Sequence, residues 1–136
     1  MKSKPKRKSE RIKAKETTWK IFSEYIRQKS ADWKSDVECY TCGVMKPWKE
    51  MDAGHYIKRS YSMLLFDERN VKPQCRKCNR FGGGMQDEFA IKLRREYGET
   101  ILEDLNKLKY KEKKWTKEDL IILRKKLREK LDNLQT

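Results

Sequence analysis

Two pairs of cysteines constrain this chain more than any other feature. All four cysteines of the sequence fall into Cys-x-x-Cys pairs, Cys39 with Cys42 and Cys75 with Cys78, and residues 43–74 separate the pairs. Two such pairs can supply the four thiolates of a closed, tetrahedral zinc site of the structural kind. Redox-active or merely buried thiols are the alternatives, and the paired spacing favours zinc. An ion bound by both pairs would hold the ends of the intervening segment together.

The composition suits a small domain that a metal ion helps to stabilise. Of the 136 residues, 41% are charged and only 36% are hydrophobic, which supports a modest core. Lys and Arg number 35 against 21 Asp and Glu, a formal net charge of +14. An excess of this size favours a polyanionic partner, with nucleic acid as the leading candidate. A protein that merely happens to be basic is the alternative.

The distribution of apolar residues predicts that the sequence has no membrane-spanning or secretory segment. No run of about 18 apolar residues occurs, and no apolar segment follows the basic N-terminus. We therefore expect neither a transmembrane helix nor a secretory signal, and no membrane partner. The expected location is the reducing cytoplasm, where paired Cys-x-x-Cys motifs bind metal more often than they form disulfides.

Hydrophobic spacing predicts one α+β domain behind a basic arm. Residues 1–15 carry eight Lys or Arg and one Glu, which predicts a flexible arm that either contacts phosphates or is simply solvated. Residues 16–136 are expected to form a single domain with a zinc-stapled core at 36–81 and a helical part at 85–136. Its first helix should begin at Thr17 or Thr18, and a hairpin carrying the first cysteine pair is expected at residues 36–48.

Apolar stripes and glycines place the helices around this core. The first predicted helix carries a stripe that we assign to packing: Trp19, Phe22 and Ile26. The triple glycine at residues 82–84 is interpreted as a helix break or hinge, with close approach to a DNA backbone as the alternative. Leucines recur every seven residues in the last helix, which favours core packing over dimerisation: Leu120, Leu127 and Leu134.

The only histidine, His55, lies between the cysteine pairs and is not needed as a zinc ligand. Its ordinary pKa is close to neutrality, so it can accept a proton from water. Phosphodiester hydrolysis needs such a base, a group that orients it, and a divalent cation held by oxygen ligands. Asn70 is the candidate for orienting the base, and Asp52 and Asn79 are candidates for holding the cation. A histidine beside zinc knuckles is also often structural, so both interpretations stay open at this point.

The order of these residues resembles that of the HNH (ββα-metal) nucleases: Cys-x-x-Cys, His, Asn, and Cys-x-x-Cys followed by Asn. The runs 51–59 (MDAGHYIKR), 66–71 (FDERNV) and 74–81 (QCRKCNRF) are similar in particular to the NinG/Rap family of phage recombination nucleases. The resemblance covers roughly residues 19–108. It implies a zinc-stapled ββα-metal unit with flanking N- and C-terminal helices. The implied activity is metal-dependent endonuclease cleavage of branched DNA, such as Holliday junctions or D-loops.

The resemblance also implies roles for individual residues. His55 would be the general base, Asn70 its orienting partner, and Asn79 a ligand of a catalytic Mg²⁺ or Mn²⁺. Many HNH nucleases place an Asp or His directly before the catalytic histidine as a metal ligand, and here that residue is Gly54. Asp52 is expected to take over this function from two positions further back, and Glu68 is a weaker candidate for it.

Three basic residues flank the expected site and are candidates for contact with DNA phosphates: Arg59, Arg80 and Lys77. The forked guanidinium of arginine can engage two phosphate oxygens at once, whereas Lys77 is alternatively just exposed. A homodimer would suit paired cleavage of a symmetric junction, and a phage recombinase or a single-strand-binding protein is a candidate partner. If the chain is phage-encoded, its cytoplasm is that of the host bacterium.

A rival function belongs to a different class. A non-catalytic zinc module that binds nucleic acid or recruits a partner would need the same cysteines and the same basic surface. A zinc protein that binds or cleaves RNA is a third interpretation. The first two differ at His55, which a binding module can lose without consequence for its activity.

Overall fold

The computed structural model describes residues 7–134, which form an α+β fold of helices and two small antiparallel sheets. The elements in chain order are α1 (Glu10–Gln28), β1 (Asp36–Glu38), β2 (Met45–Pro47), β3 (Met51–His55), β4 (Val71–Cys75), α2 (Gln86–Tyr97), α3 (Ile101–Lys109) and α4 (Lys117–Leu134). A π-helical turn, Lys77–Phe81, follows β4. None of the helices within residues 7–134 is both long and apolar enough to cross a membrane.

Helix α1 begins at Glu10, earlier than the start predicted near Thr17. The hydroxyl of Ser9 caps it by accepting a hydrogen bond from a backbone N–H of the first turn. Lys, Arg and Glu are good helix formers, so a dense run of them continues a helix that packing holds further along the chain. Residues 10–15 of the predicted flexible arm are therefore helical, which corrects that prediction. Residues 1–6 of the arm lie outside the described residues.

Strands β1 and β2 form the predicted hairpin at residues 36–48, with the first cysteine pair in its turn. The turn depends on Gly43, whose φ of 82° lies in the left-handed region that glycine adopts without a steric penalty. The backbone N–H of Tyr40 donates to the carbonyl of Pro73 at 2.8 Å. This hydrogen bond fixes the turn beside β4, where the second cysteine pair begins.

Strands β3 and β4 form a second antiparallel hairpin. His55 lies opposite Val71, and Asp52 lies opposite Gln74. Residues directly opposite each other in an antiparallel pair project to the same face, so Asp52 and Gln74 are neighbours on one face. The connection at residues 56–70 closes this hairpin with the N–H of Tyr56 donating to the carbonyl of Asn70 at 2.9 Å.

Within residues 7–134, three apolar clusters hold the elements together. One surrounds the second cysteine pair: Val37, Cys39, Met51, Cys75 and Cys78. A second joins the 56–70 connection to α2 and α3: Leu64, Phe89, Leu93, Ile101 and Leu105. The third packs α1 and α4 against β4: Phe22, Ile26, Val71 and Leu127. The leucine stripe of α4 thus packs in the core at Leu120 and Leu127, whereas Leu134 is 42% exposed.

The helices after residue 84 begin and end near the predicted positions. The triple glycine separates the π-helical turn from α2. Helix α4 begins with a reciprocal cap, in which the N–H of Asp119 donates to Thr116 Oγ1 at 3.1 Å and the N–H of Thr116 donates to Asp119 Oδ2 at 3.2 Å. Within the predicted part at 85–136, residues 135–136 lie outside the described residues.

Candidate functional site

The four cysteines lie together, with the first pair in the β1–β2 turn and the second pair at the end of β4. Their Sγ atoms all lie within 4.8 Å of one another, and those of Cys42 and Cys75 are 3.7 Å apart. A tetrahedral zinc ion with Zn–S bonds of about 2.3 Å places its sulfurs about 3.8 Å apart, whereas a disulfide requires about 2.0 Å. Ligand type, number and spacing therefore all fit a zinc ion.

Hydrogen bonds lower the pKa of one of these thiols, Cys39. The N–H of Cys75 donates to Cys39 Sγ at 3.3 Å. Burial opposes ionisation of Cys39, but hydrogen bonds from Cys75 and Thr41 lower the pKa of its thiol to about 6. Burial raises the pKa of the Cys78 thiol to about 12. Thiolates this close together require a cation, which couples metal binding to their deprotonation.

His55 ends β3 and lies between α1 and the 56–70 connection. Its ring stacks on the indole of Trp19, with the centroids 4.9 Å apart and the planes at 25°. Its Nε2 lies 3.4 Å from the carbonyl oxygen of Leu65, a long hydrogen bond. Burial lowers the pKa of His55 to about 4, against the opposing effect of the Leu65 carbonyl and with a further contribution from Arg59. The imidazole is therefore neutral at pH 7.

Asn70 is fully buried and holds the backbone beside His55 instead of the ring itself. Its Oδ1 accepts a hydrogen bond from the N–H of Ile57 at 2.8 Å, and its Nδ2 donates to the carbonyl of Ile57 at 2.8 Å. The same Nδ2 also donates to the carbonyl of Leu64 at 3.3 Å. Leu64 directly precedes Leu65, so Asn70 fixes the segment whose carbonyl bonds the imidazole.

The two residues predicted to hold a cation are in contact. Asn79 Nδ2 donates to Asp52 Oδ2 at 3.0 Å. Arg80, predicted to contact phosphate, binds Asp52 with both arms of its fork, Nε to Oδ2 at 2.9 Å and Nη2 to Oδ1 at 3.0 Å. Burial opposes ionisation of Asp52, but hydrogen bonds from Arg80 and Asn79 lower the pKa of its carboxyl. Asp52 is therefore held as a carboxylate.

Two adjoining depressions connect these groups. The first, which we call the His55 cleft, measures about 950 Å³ and is lined by His55 and Asn79 among others. The second, the Asp52 hollow, measures about 360 Å³ and is lined by Asp52 and again by Asn79. Trp19 and Ala53 line both. The candidate base and both candidate cation ligands therefore lie along one continuous surface.

Positive charge lines this surface. The His55 cleft is bordered by Lys58, Arg59 and Lys109. The Asp52 hollow is bordered by Arg27, Lys49, Arg76 and Arg80. The guanidinium of Arg59 lies 4.9 Å from the centre of the Trp19 ring, a cation–π contact that holds it at the edge of the cleft. Lys77 is exposed on the π-helical turn and lines neither depression.

Several residues of this surface are not predicted from the sequence. Trp19 is predicted only to pack in the core, whereas its indole covers His55. Gln74, which has no predicted role, lies opposite Asp52 on β4 and is fully buried. The signal for Gln74 is a polar residue inside a strand whose other positions are buried. No sequence motif distinguishes Arg27 and Arg76 from the many other basic residues of the chain.

Comparisons with known proteins match this chain to a family. A family model described as "Bacteriophage Lambda NinG protein" matches residues 1–136. The chain is 28% identical over 112 residues to protein ninG of Escherichia phage 933W, covering 82% of this chain and 53% of that protein. It is 28% identical to protein ninG of Salmonella phage P22 and 26% identical to that of Escherichia phage lambda, each over 82% of this chain and 52% of the relative.

The matches cover most of this chain but only part of each relative. The chain spans about half the length of the curated relatives that it matches. No solved structure matches the chain significantly.

Proposed function

The chain belongs to the NinG family of bacteriophage proteins, and from the residues gathered around His55 we propose that it is a metal-dependent DNA endonuclease of the HNH type. The β3–β4 hairpin and the π-helical turn that follows it would be the ββα-metal unit, stapled by zinc at the cysteine cluster. The observation that carries the proposal is the position of a neutral His55 in one cleft with Asn79, which in turn contacts Asp52.

His55 is the proposed general base. A carbonyl oxygen can only accept a hydrogen bond, so the contact with Leu65 places the ring proton on Nε2 and leaves a lone pair on Nδ1. Nδ1 is thus the ring atom that can accept a proton. At pH 7 the ring is in the neutral form that can accept a proton from water, and its lowered pKa makes it a weaker base than an ordinary imidazole. Asn70 is a positioning residue, because it acts on the ring through the backbone at Leu64 and Leu65.

Asp52 and Asn79 are the proposed ligands of Mg²⁺ or Mn²⁺. Carboxylate and amide oxygens are the donors that these hard cations prefer, so the residues fit the ion. When bound, such an ion stabilises the negative charge that develops on the phosphate and the leaving oxygen. Asp52 must first part from Arg80, which currently occupies both carboxylate oxygens. The freed guanidinium can then engage two phosphate oxygens.

The proposed substrate is DNA, and branched DNA in particular. The basic residues along the His55 cleft and the Asp52 hollow support a phosphate backbone as the ligand. The preference for Holliday junctions or D-loops rests on the family resemblance of residues 19–108. A homodimer that cuts a symmetric junction in pairs, and contact with a phage recombinase or single-strand-binding protein, belong to the same proposal.

Cleavage of a synthetic four-way junction tests the proposal. Wild-type protein is expected to cut it with Mg²⁺, and a chelator should abolish cutting. His55→Ala should lose about two to four powers of ten in rate but keep its zinc and its affinity for DNA. Lys117→Ala is the control, since it breaks only the surface ion pair of Lys117 with Glu10. Equal rates for wild type and His55→Ala would show that His55 is not the base.

A non-catalytic zinc module that binds nucleic acid is the second candidate. The stack of Trp19 on His55 favours it, because a ring packed in this way also contributes to stability. On this interpretation wild-type protein binds the junction without cutting it, and His55→Ala lowers the melting temperature only. Parallel digestions of duplex DNA and RNA separate both candidates from an RNA-directed function.

A further inference from the structure

Gln74 is a buried side chain with one polar atom unsatisfied. Its Nε2 donates to Thr41 Oγ1 at 3.1 Å and to the carbonyl of Gly84 at 2.9 Å. Its Oε1 is buried without a hydrogen-bond partner among the described residues. Exchanging the two amide atoms would set Oε1 against the Gly84 carbonyl, two acceptors facing each other, so the amide orientation is determined. A buried acceptor of this kind is costly unless something binds it.

The unsatisfied oxygen points at Gly54. A Cβ atom at Gly54 would lie 1.8 Å from Gln74 Oε1 and 3.1 Å from Asn79 Oδ1. The two oxygens are therefore no more than about 4.9 Å apart, the sum of these distances. Two oxygen ligands of one cation, each bound at about 2.1 Å, lie about 3 to 4 Å apart. This upper bound is compatible with both oxygens binding the same ion.

We propose that Gln74 Oε1 is a further ligand of the catalytic cation, beside Asp52 and Asn79. This inference rests on the proposed function. Asp52 and Gln74 project from the same face of the β3–β4 hairpin, and Asn79 reaches that face from the π-helical turn to contact Asp52. Three oxygen-bearing side chains from three elements therefore converge where the structure has an unsatisfied acceptor.

This assignment explains the glycine before the histidine. Any side chain at position 54 would collide with the carboxamide of Gln74, because even a methyl group would approach Oε1 to 1.8 Å. An Asp or His at this position and Gln74 in its present place are mutually exclusive. Gln74 thus supplies from the opposite strand an oxygen that a residue at position 54 would otherwise supply.

Titration of the zinc-loaded protein with Mn²⁺ by calorimetry, without DNA, tests the inference by binding and not by activity. Gln74→Met removes the oxygen at similar side-chain length and should weaken Mn²⁺ binding by about tenfold or more. Gln74→Glu keeps an oxygen and should bind Mn²⁺ at least as tightly as wild type. Gln28→Met, on α1, is the control for the Gln-to-Met change and should leave Mn²⁺ affinity unaltered.

The outcomes separate the two proposals. If wild type binds Mn²⁺ and Gln74→Met binds it equally well, then Gln74 is no ligand, and the proposed function is unaffected. If wild type binds no Mn²⁺, both the cation site and this inference fall. Should Gln74→Met not retain zinc or not fold, Gln74→Glu decides, because weaker Mn²⁺ binding by a folded, zinc-loaded Gln74→Glu overturns the inference.

Discussion

His55 and Asn70 bind the carbonyl oxygens of two consecutive residues. His55 Nε2 lies 3.4 Å from the oxygen of Leu65, and Asn70 Nδ2 lies 3.3 Å from the oxygen of Leu64. The two side chains are thereby coupled through one short stretch of backbone. Any movement of that stretch changes the orientation of the imidazole, although Asn70 does not contact the ring.

Replacement of Asn70 by Ala should therefore lower the stability of the fold and change the orientation and tautomer of His55. It leaves the N–H and carbonyl of Ile57 and the carbonyl of Leu64 without this partner, and each buried group left unsatisfied costs about 1–3 kcal/mol. DNA cleavage should fall because the Leu65 carbonyl no longer holds the ring. Since His55 is the only histidine, a ¹H–¹⁵N spectrum of the imidazole should show the Nε2-protonated form giving way to a mixture of tautomers.

A second destabilised variant separates positioning from simple loss of stability. Leu105→Ala lies in the apolar cluster that contains Leu64 and should cost about 2–5 kcal/mol, yet it leaves the hydrogen bonds of Asn70 intact. Its His55 spectrum should match that of wild type. A wild-type spectrum in Asn70→Ala would contradict the positioning role.

The low pKa of His55 predicts that the stability of the fold depends on pH. The pKa is about 4 in the folded protein and about 6.5 in an unfolded chain, so the unfolded state binds the proton more readily between these values. The corresponding stability is present above about pH 6.5 and is lost as the pH falls towards 4, up to about 3 kcal/mol in the free energy of unfolding. His55→Gln should lack this part of the pH dependence in urea unfolding followed between pH 7 and 4.

Removal of the indole checks the cause of that shift. Trp19→Ala uncovers the imidazole, so the pKa of His55 should rise towards its ordinary value because burial is the main reason for its lowering. The single imidazole signal gives this pKa directly by NMR titration. A pKa that stays near 4 in Trp19→Ala would mean that other groups bury the ring.

The cysteine cluster and its hairpin could be predicted from sequence because tetrahedral thiolate sites use one residue type at narrow spacings, and because Gly43 marks the turn. The contact of Trp19 with His55 could not be predicted, since an apolar stripe shows that a helix face is covered but not by what. The proposed role of Gln74 depends on the register that sets it opposite Asp52. The register of a short hairpin is set by the whole fold, so it could not be read from the sequence. The start of α1 at Glu10 could not be predicted either, because the charged residues of its first turns show no apolar stripe.

Arg80 should compete with the cation for Asp52. Because its guanidinium occupies both carboxylate oxygens, Arg80→Ala should raise the affinity for Mn²⁺ measured without DNA. The same variant should weaken DNA binding and reduce the slope of log affinity against log salt by about one, as expected when one phosphate contact is lost. Calorimetry and fluorescence anisotropy at several salt concentrations measure the two effects.

Arg69→Ala is the matched control for Arg80→Ala. Arg69 also binds an aspartate with both arms of its fork, Asp67 at 3.0 and 2.7 Å, but it lines neither the His55 cleft nor the Asp52 hollow. It should leave both the Mn²⁺ affinity and the salt slope unchanged. If Arg80→Ala and Arg69→Ala behave alike, Arg80 has no part in the site.

Zinc bound at the cysteine cluster should control the proposed catalytic surface through β4. This strand runs from Val71, opposite His55, to Cys75 in the metal cluster, so loss of zinc frees the strand that carries Gln74. Protein purified under reducing conditions should contain about one equivalent of zinc by elemental analysis, and less than about half an equivalent would contradict the four-thiolate site. Cys75→Ser should lose the zinc, unfold at a lower temperature and stop cutting DNA.

Val37→Ala distinguishes loss of the ion from loss of packing around it. Val37 is 1% exposed and belongs to the same apolar cluster as Cys75, so its truncation should cost about 2 kcal/mol while all four thiolates remain. This variant should therefore melt earlier than wild type but keep its zinc, its Mn²⁺ affinity and its cleavage of DNA below the melting temperature. If Val37→Ala loses activity as fully as Cys75→Ser, general stability and not the ion holds β4 in place. If Cys75→Ser keeps cutting without zinc, the hairpin alone positions His55 and the metal staple is dispensable for the chemistry.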